Sequence, residues 1–366
     1  MSKVTLRPGT PESRRQTIPA AARQLLLPAS WVYRSIVAGR NFLYDLNLLS
    51  STVVPVPVIC VGNLTTGGTG KTPMVAWLAA HFRRQGKRVA ILSRGYKRQN
   101  RAAPLLIRPG DPRPSIRELG DEAAMLLAAL PDVALALDPR RRRGAVDLCR
   151  RWSPEVIIMD DGFQHRRLRR RLNIVMIDSQ RLCGNGRLLP AGPLREPLGA
   201  LQRADVVVCN KFDRRHRDFG RLAAAILEYL PAARIFTAVY QLRGCRPLWP
   251  PAAAVDLRQL RGRDVVAFAG LANPDYFFDQ LAAAGLKPTA TLAFPDHHDY
   301  RPADLERLAG AAAPGTMVLT TAKDAVKVAA VPGAQQLLPD LWQVEINLQL
   351  RDPQRFHKLL ESRLSL

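Results

Sequence analysis

Val61-Gly62-Asn63-Leu64-Thr65-Thr66-Gly67-Gly68-Thr69-Gly70-Lys71-Thr72-Pro73 joins two segments of opposite periodicity through a glycine-rich turn. It follows an extended apolar segment, Val53 to Val61, and leads into a helical one, Met74 to Arg83. Strand, glycine loop and helix in that order are what a phosphate-binding loop requires: glycines let backbone N–H groups converge on phosphate oxygens. Lys71 supplies a point charge for the β- and γ-phosphates, and the Thr72 hydroxyl is placed to ligate Mg²⁺. The first glycine of G-x-x-x-x-G-K-[ST] is replaced by Thr65, which leaves the G-G-x-G-K-T core of a deviant loop with Thr66 where many carry lysine. The expected nucleotide contacts are Asn63, Thr65, Thr66, Gly67, Gly68, Thr69, Gly70, Lys71, Thr72 and Pro73.

Outward from this loop, apolar runs of strand type alternate with helical ones. Val53 to Val61, Arg88 to Leu92, Val133 to Leu137, Val156 to Met159, Ile174 to Ile177 and Val206 to Cys209 read as strands. Met74 to Arg83, Glu122 to Leu130 and Arg141 to Trp152 read as helices. Alternation of this kind predicts an α/β fold, a mostly parallel sheet of P-loop NTPase type with helices on both faces and ligands at the carboxyl ends of the strands. A smaller α/β unit is expected from about Arg234, with strands at Val265 to Ala269, Thr289 to Phe294, Met317 to Thr320 and Trp342 to Leu348, and a link in the Pro-rich segment Arg246 to Ala252. The expected division is a polar tail over 1–20, an N-terminal helix over 21–52, a P-loop domain over 53–233 and a smaller domain over 234–366 that closes on the site.

The strand Val156 to Met159 ends in Asp160-Asp161, the arrangement that holds or orients Mg²⁺ opposite a P-loop threonine. Thr72, Asp160 and Asp161 are therefore the candidate metal ligands. The string continues Gly162-Phe163-Gln164-His165-Arg166-Arg167-Leu168. Arg94, Arg166, Arg167 and Arg195 are candidate phosphate clamps, since a guanidinium fork matches phosphate oxygens.

The chain has 366 residues, 47% of them hydrophobic, enough for packed cores. Its 54 basic against 31 acidic residues give a formal charge of +23, which favours an anionic partner: nucleic acid, membrane or phosphorylated substrate. The arginine runs at 140–143 and 166–171 carry much of this excess, and each by itself suits a solvated face. Five widely spaced cysteines indicate neither a disulfide framework nor a zinc site. The first twenty residues contain no apolar signal core, so a cytosolic-side location is expected. Leu25 to Leu49 sets Leu26, Trp31, Val32, Ile36, Phe42, Leu43, Leu46 and Leu49 among Arg23, Arg34 and Arg40. That pattern predicts an amphipathic helix lying in a membrane interface, the alternative being a helix packed on the protein's own core.

The strings G-N-L-T-T-G-G-T-G-K-T-P and D-D-G-F-Q-H-R-R-L resemble those of the tetraacyldisaccharide 4′-kinases, the lipid A 4′-kinases of Gram-negative bacteria. Ser93-Arg94-Gly95-Tyr96, Gly120-Asp121-Glu122-Ala123, Pro190-Ala191-Gly192-Pro193-Leu194-Arg195-Glu196, Phe294-Pro295-Asp296-His297-His298 and Thr320-Thr321-Ala322-Lys323-Asp324 extend the resemblance over about residues 30 to 330. It implies transfer of the ATP γ-phosphoryl group, with Mg²⁺, to the 4′-hydroxyl of a tetraacylated glucosamine disaccharide 1-phosphate. It also suggests an N-terminal membrane-seated helix; the expected partners are anionic membrane lipid and the acylated disaccharide, at the cytoplasmic face of the inner membrane, with a monomer expected. By the same likeness Asp121 is the catalytic base, assisted by His297, with Lys71 at the phosphates. Glu122, Gln164, His165, Arg94, Arg166 and Arg195 are the expected supporting residues. By residue type alone, Asp121 suits a helix cap as well, and Asp296-His297-His298 has the composition of a metal cluster without a further ligand at helical or hairpin spacing.

Asn210-Lys211-Phe212-Asp213 points elsewhere, since N-K-x-D is the pattern by which P-loop GTPases recognise guanine. A GTPase of metallochaperone or targeting type is therefore the alternative. No nucleic-acid partner is expected, because stacking motifs and a reading helix are missing.

Overall fold

The computed structural model describes residues 24–364 except 97, 101, 213–218 and 251. The polar tail at 1–20, Arg23 and Asp213 lie outside the described residues. The protein divides into two compact units, one formed by Leu242–Asn347 and the other by the described residues before and after it.

In the larger unit, strands β1 (Val58–Gly62), β2 (Val89–Ser93), β3 (Leu105–Ile107), β4 (Ala134–Leu137), β5 (Val156–Asp160), β6 (Leu172–Asp178), β7 (Val206–Asn210) and the start of β8 (Ile235–Pro247) form one sheet. Its order is β8-β7-β6-β1-β5-β2-β4-β3. All pairs are parallel except β3 with β4. The alternating pleat sorts β1 cleanly: Ile59 and Val61 join one core cluster, Val58 and Cys60 the other. Helices α2 (Lys71–Arg84) and α4 (Asp121–Ala129) supply Leu78, Phe82, Leu126 and Leu127 to the first cluster, and α5 (Arg141–Arg151) supplies Ala145 and Leu148 to the second. A doubly covered, mostly parallel sheet is the architecture expected from the sequence.

The first strand begins later than the apolar run suggests, at Val58 and not Val53. Pro55 and Pro57 have no N–H to give a ladder, and pairing starts where Pro57 offers its carbonyl to Ile157 N–H at 3.0 Å. A short helix α3 (Ile116–Leu119), closed by a Ser115/Glu118 capping box, precedes α4. Helix α6 (Phe219–Leu227) lies between β7 and β8.

Helix α1 (Leu27–Asp45) starts on a proline in its first turn, where the missing N–H costs nothing. Its buried residues are Ser30, Val37 and Tyr44, one narrow seam at a seven-residue spacing. Trp31 is 64% exposed, Ile36 65% and Phe42 61%, with Val32 and Leu43 also at the surface. The apolar side of this helix therefore faces out. No helix among the described residues is long and apolar enough to cross a membrane.

After Asn347 the polypeptide returns to the larger unit. Helix α11 (Pro353–Leu364) packs Phe356, Leu360 and Leu364 into the cluster that holds Leu78 and Phe82 of α2, and Trp77 meets Phe356 edge-on. Burying a side chain of this size fully is worth roughly 1.5–3 kcal/mol.

The smaller unit has the parallel order β11-β10-β12-β13, from β10 (Val265–Ala269), β11 (Ala290–Ala293), β12 (Met317–Thr321) and β13 (Leu341–Leu350), with β9 (Val255–Asp256) antiparallel to Gly244 and Cys245 of β8. Helices α7 (Pro274–Ala283) and α8 (Pro302–Ala311) cover its two faces, and α9 (Ala322–Val328) and α10 (Ala334–Leu337) follow β12. Strand β8 runs from Ile235 to Pro247, so only Arg246 and Pro247 of the Pro-rich segment lie within it.

Candidate active site

Strand β1 ends at Gly62, the loop 63–70 follows, and Lys71 opens α2. Gly62 is required by packing: a Cβ there would lie 2.5 Å from the Phe163 Cβ and 2.7 Å from its backbone nitrogen. The turn after Asp161 thus packs directly on the end of β1. Loop residues 64–66 are held from the other side, by Arg195 N–H on the Leu64 carbonyl (2.7 Å) and Thr66 N–H on the Pro193 carbonyl (2.8 Å). Inside the loop Asn63 Nδ2 donates to Thr69 Oγ1 at 2.8 Å, and Gln164 Nε2 donates to the Asn63 carbonyl at 2.8 Å. Thr72 lies in the first turn of α2, partly buried.

Lys71 and the paired acids come together, as the two motifs require. Lys71 Nζ is 3.5 Å from Asp161 Oδ1, and Arg195 grips the same carboxylate at 2.9 and 3.1 Å. Burial pushes the Asp161 pKa up, but Lys71 and Arg195 outweigh it and hold the carboxyl below its usual range. Asp161 has φ 48°, left-handed geometry that turns the backbone sharply at the strand end. Asp160, the last residue of β5, is buried; burial foremost, then the charges of Glu122 and Asp161, raise its pKa to about 7. Its Oδ2 is 3.4 Å from Ser93 Oγ, and its Oδ1 is buried with no hydrogen-bond partner among the described residues. A buried orphan carboxylate oxygen at the end of the strand that pairs with β1 suits a divalent cation. No group of three or more His, Cys, Asp or Glu residues gathers to hold one among the described residues, so a cation here would draw on fewer such side chains.

The raised pKa has a consequence for stability. Because the folded value lies above that of the unfolded polypeptide, the protonated form is favoured by folding; stability without divalent cation should fall as pH rises from about 4 to about 7 and level off beyond. Asp160→Asn should remove this component. Melting curves across that range in chelator should therefore diverge, the variant gaining on the wild type as pH rises, and parallel curves would contradict the assignment.

Arg141 is buried and donates to the Asp161 carbonyl at 3.2 Å. It belongs to the arginine run that by composition suits a solvated face; only its place at the start of α5 after β4 carries a hint otherwise. His165 is half-buried; burial first, then Arg141, Arg170, Arg167 and Arg94, lower its pKa to about 4, so it is neutral at pH 7. Asp121 is the first residue of α4, with Gly120 at the cap position, and its Oδ1 accepts from Glu122 N–H at 3.0 Å. Arg94 follows β2 and is exposed.

Arg166 meets α1. It pairs with Asp45 at 2.7 Å, donates to the Asn41 carbonyl at 3.0 Å and lies over the Tyr44 ring, all on α1. Glu196, which sequence reasoning left among motif matches, is fully buried and accepts from Arg40 (2.9 Å), Asn41 (3.0 Å), Arg203 (2.6 Å) and Gln164 (3.4 Å). Through Gln164 it joins α1 to the phosphate loop. In the smaller unit, His297 has φ 61° and its Nε2 is 3.9 Å from Asp296 Oδ1, while His298 pairs with Asp304 at 3.0 Å. Asp296 itself is held by Lys323 at 2.7 Å.

The profile of the tetraacyldisaccharide-1-P 4′-kinases matches residues 22–365. The chain belongs to this family. A tetraacyldisaccharide 4′-kinase of Geobacter sulfurreducens is 40% identical over 316 residues, covering 85% of this chain and 86% of the relative. One from Aquifex aeolicus is 38% identical over 306 residues, 84% of this chain and 90% of the relative. The crystal structure of LpxK from Aquifex aeolicus in complex with ATP superposes with a TM-score of 0.75 at 33% identity, over 93% of this chain and 99% of that one. Membership of the 4′-kinase family accounts for the phosphate loop and disfavours the GTPase alternative.

Proposed function

We propose that this 4′-kinase family member works through the loop 63–73, which holds the phosphates of ATP, while Lys71 meets the charge that develops as the γ-phosphoryl group moves to the 4′-hydroxyl of a tetraacylated disaccharide 1-phosphate. The observation that carries this reading is the convergence of Lys71, Asp161 and Arg195 within 3.5 Å at the amino end of α2. Thr72, Asp160 and Asp161 would hold a magnesium ion, which neutralises β- and γ-phosphate charge when bound. Asp121 takes the proton of the sugar hydroxyl, with His297 orienting it, and Arg94, Glu122, Gln164 and His165 support substrate or loop. Arg195 keeps Asp161 ionised and aimed.

The acceptor is lipid, and the exposed apolar side of α1 is its natural point of entry. We place the enzyme as a monomer on the cytoplasmic face of the inner membrane, α1 lying in the interface. Each basic residue near an anionic leaflet adds about 1 kcal/mol of attraction to that apolar contact. Trp31, Ile36 and Phe42 make no part of the seam that binds α1 to the protein, so Trp31→Asp, Ile36→Asp and Phe42→Asp combined should leave the fold intact. Cosedimentation with anionic vesicles should drop and the KM for vesicle-borne acceptor rise, with kcat on detergent-dispersed acceptor kept. Unchanged pelleting would remove α1 from the interface. Deleting α1 is the poorer test, because it would also strip Glu196 of Arg40 and Asn41.

The reaction itself is tested by offering γ-labelled ATP or GTP with the lipid disaccharide 1-phosphate, with RNA, or alone. Label should enter the disaccharide from ATP. Labelling of no lipid, with nucleotide hydrolysis alone, would overturn the proposal.

A further inference from the structure

We infer that Asn210 and Tyr240 together set the closing turn of the phosphate loop, so that the N-K pair at 210–211 serves as a brace for that loop and not as a reader of the nucleotide base. The inference rests on the reading of 63–73 as the phosphate site. Asn210 ends β7, fully buried, and its Nδ2 donates to the Thr69 carbonyl at 2.6 Å and to the Tyr240 hydroxyl at 3.0 Å. Thr69 is therefore gripped twice, by Asn210 at its main chain and by Asn63 at its hydroxyl, from the ends of two different strands. A carbonyl only accepts, so the Asn210 amide has one workable orientation, NH₂ toward Thr69.

The peptide plane turns this grip into an aim. In a trans peptide C=O and N–H point in opposite directions, so fixing the Thr69 carbonyl toward Asn210 fixes the Gly70 N–H away from it. The residue at 70 is constrained by the same pair. Gly70 has φ 79°, and a Cβ added there would fall on the Asn210 amide and the Tyr240 hydroxyl. Left-handed backbone and lack of room thus demand glycine independently. Lys211 in turn faces inward, its Nζ 2.7 Å from the buried Asp178 carboxylate, at a φ of 50°. Asn210 Oδ1 is buried with no hydrogen-bond partner among the described residues, so the Nδ2 side alone carries the contact to the loop.

The test measures, on the full-length protein, Kd for Mg·ATP, and kcat and KM for ATP, GTP and the lipid acceptor in Asn210→Asp, Asn210→Ala and Tyr240→Phe. Asn210→Asp sets a carboxylate against the Thr69 carbonyl, and kcat/KM for nucleotide should fall on the order of tenfold or more, the factor attached to a buried acceptor left unpaired. ATP and GTP should fall by the same factor, and the KM for lipid should not move. Tyr240→Phe keeps the Asn210–Thr69 bond and should show a smaller loss, about two- to fivefold, in the same parameters. It also carries the test if Asn210→Asp does not fold. A changed ATP:GTP ratio would make Asn210 a base reader and overturn the inference, as would ATP parameters within twofold of wild type in all three variants. Lys71→Ala run alongside separates the layers: if it keeps ATP binding and turnover the loop reading falls and this inference with it, whereas its loss beside unaffected Asn210 variants sinks only the brace.

Discussion

Lys71→Ala should lower kcat on the order of 10²-fold or more while the protein stays folded. The transferring phosphoryl group spreads charge over its oxygens, and preorganised positive groups are the main resource a protein has against that charge. Lys71 stands at the first residue of α2, where the free N–H groups of the helix end already favour an anion, and only 14% of its side chain is exposed. The fold should tolerate the change because Asp161 keeps its two contacts to Arg195 at 2.9 and 3.1 Å. Steady-state turnover on vesicle-borne acceptor, with a melting curve on the same sample, measures both halves of this expectation. Near wild-type turnover would end the assignment of the loop.

Asp121→Ala should lower kcat by about 10²- to 10⁴-fold, the range a positioned general base supplies, and leave the Kd for ATP close to wild type. A sugar hydroxyl is a poor nucleophile and gains from a carboxylate that accepts its proton as the new bond forms. Asp121 is buried at the amino end of α4, where its Oδ1 accepts from Glu122 N–H at 3.0 Å. Gly120 and not Asp121 holds the cap position of α4, so the variant loses no side-chain cap, and a melting curve on the same sample separates lost catalysis from lost fold. Asp121→Asn, which keeps the shape and loses the base, should be as slow. A variant that loses ATP affinity instead would move Asp121 from chemistry to nucleotide binding.

Much of this site is legible in the sequence because its chemistry is local. Glycine, lysine and threonine between a strand and a helix carry their own geometry, and Asp160-Asp161 at the end of an apolar run declares a strand terminus. Burial on both faces makes the parallel strands read as unbroken apolar stretches, so β10 is legible from Val265 to Ala269. Contacts between distant segments leave no such mark. Glu196 looks like one acid in a loop until Arg40 and Asn41, more than 150 positions earlier, are seen on its carboxylate. Arg141 looks like one of four solvated arginines until the end of β5 comes beside it. Strand β8 mixes buried, half-buried and exposed residues, so it lacks the unbroken apolar run that marks the fully buried strands.

What the amino-acid order alone determines is the sheet, the phosphate loop and the paired acids, because backbone freedom at glycine and the period of apolar residues act over a few residues at a time. Which charges are spent inside the protein depends on contacts between segments far apart in the chain. Arg166 and Arg40 tie α1 down, Arg195 holds Asp161, Asn210 holds Thr69, and Asp160 keeps a buried oxygen with no partner among the described residues. Charge and hydrogen bonding act across space at a few ångströms, and the sequence records neither the distance nor the burial that sets their strength.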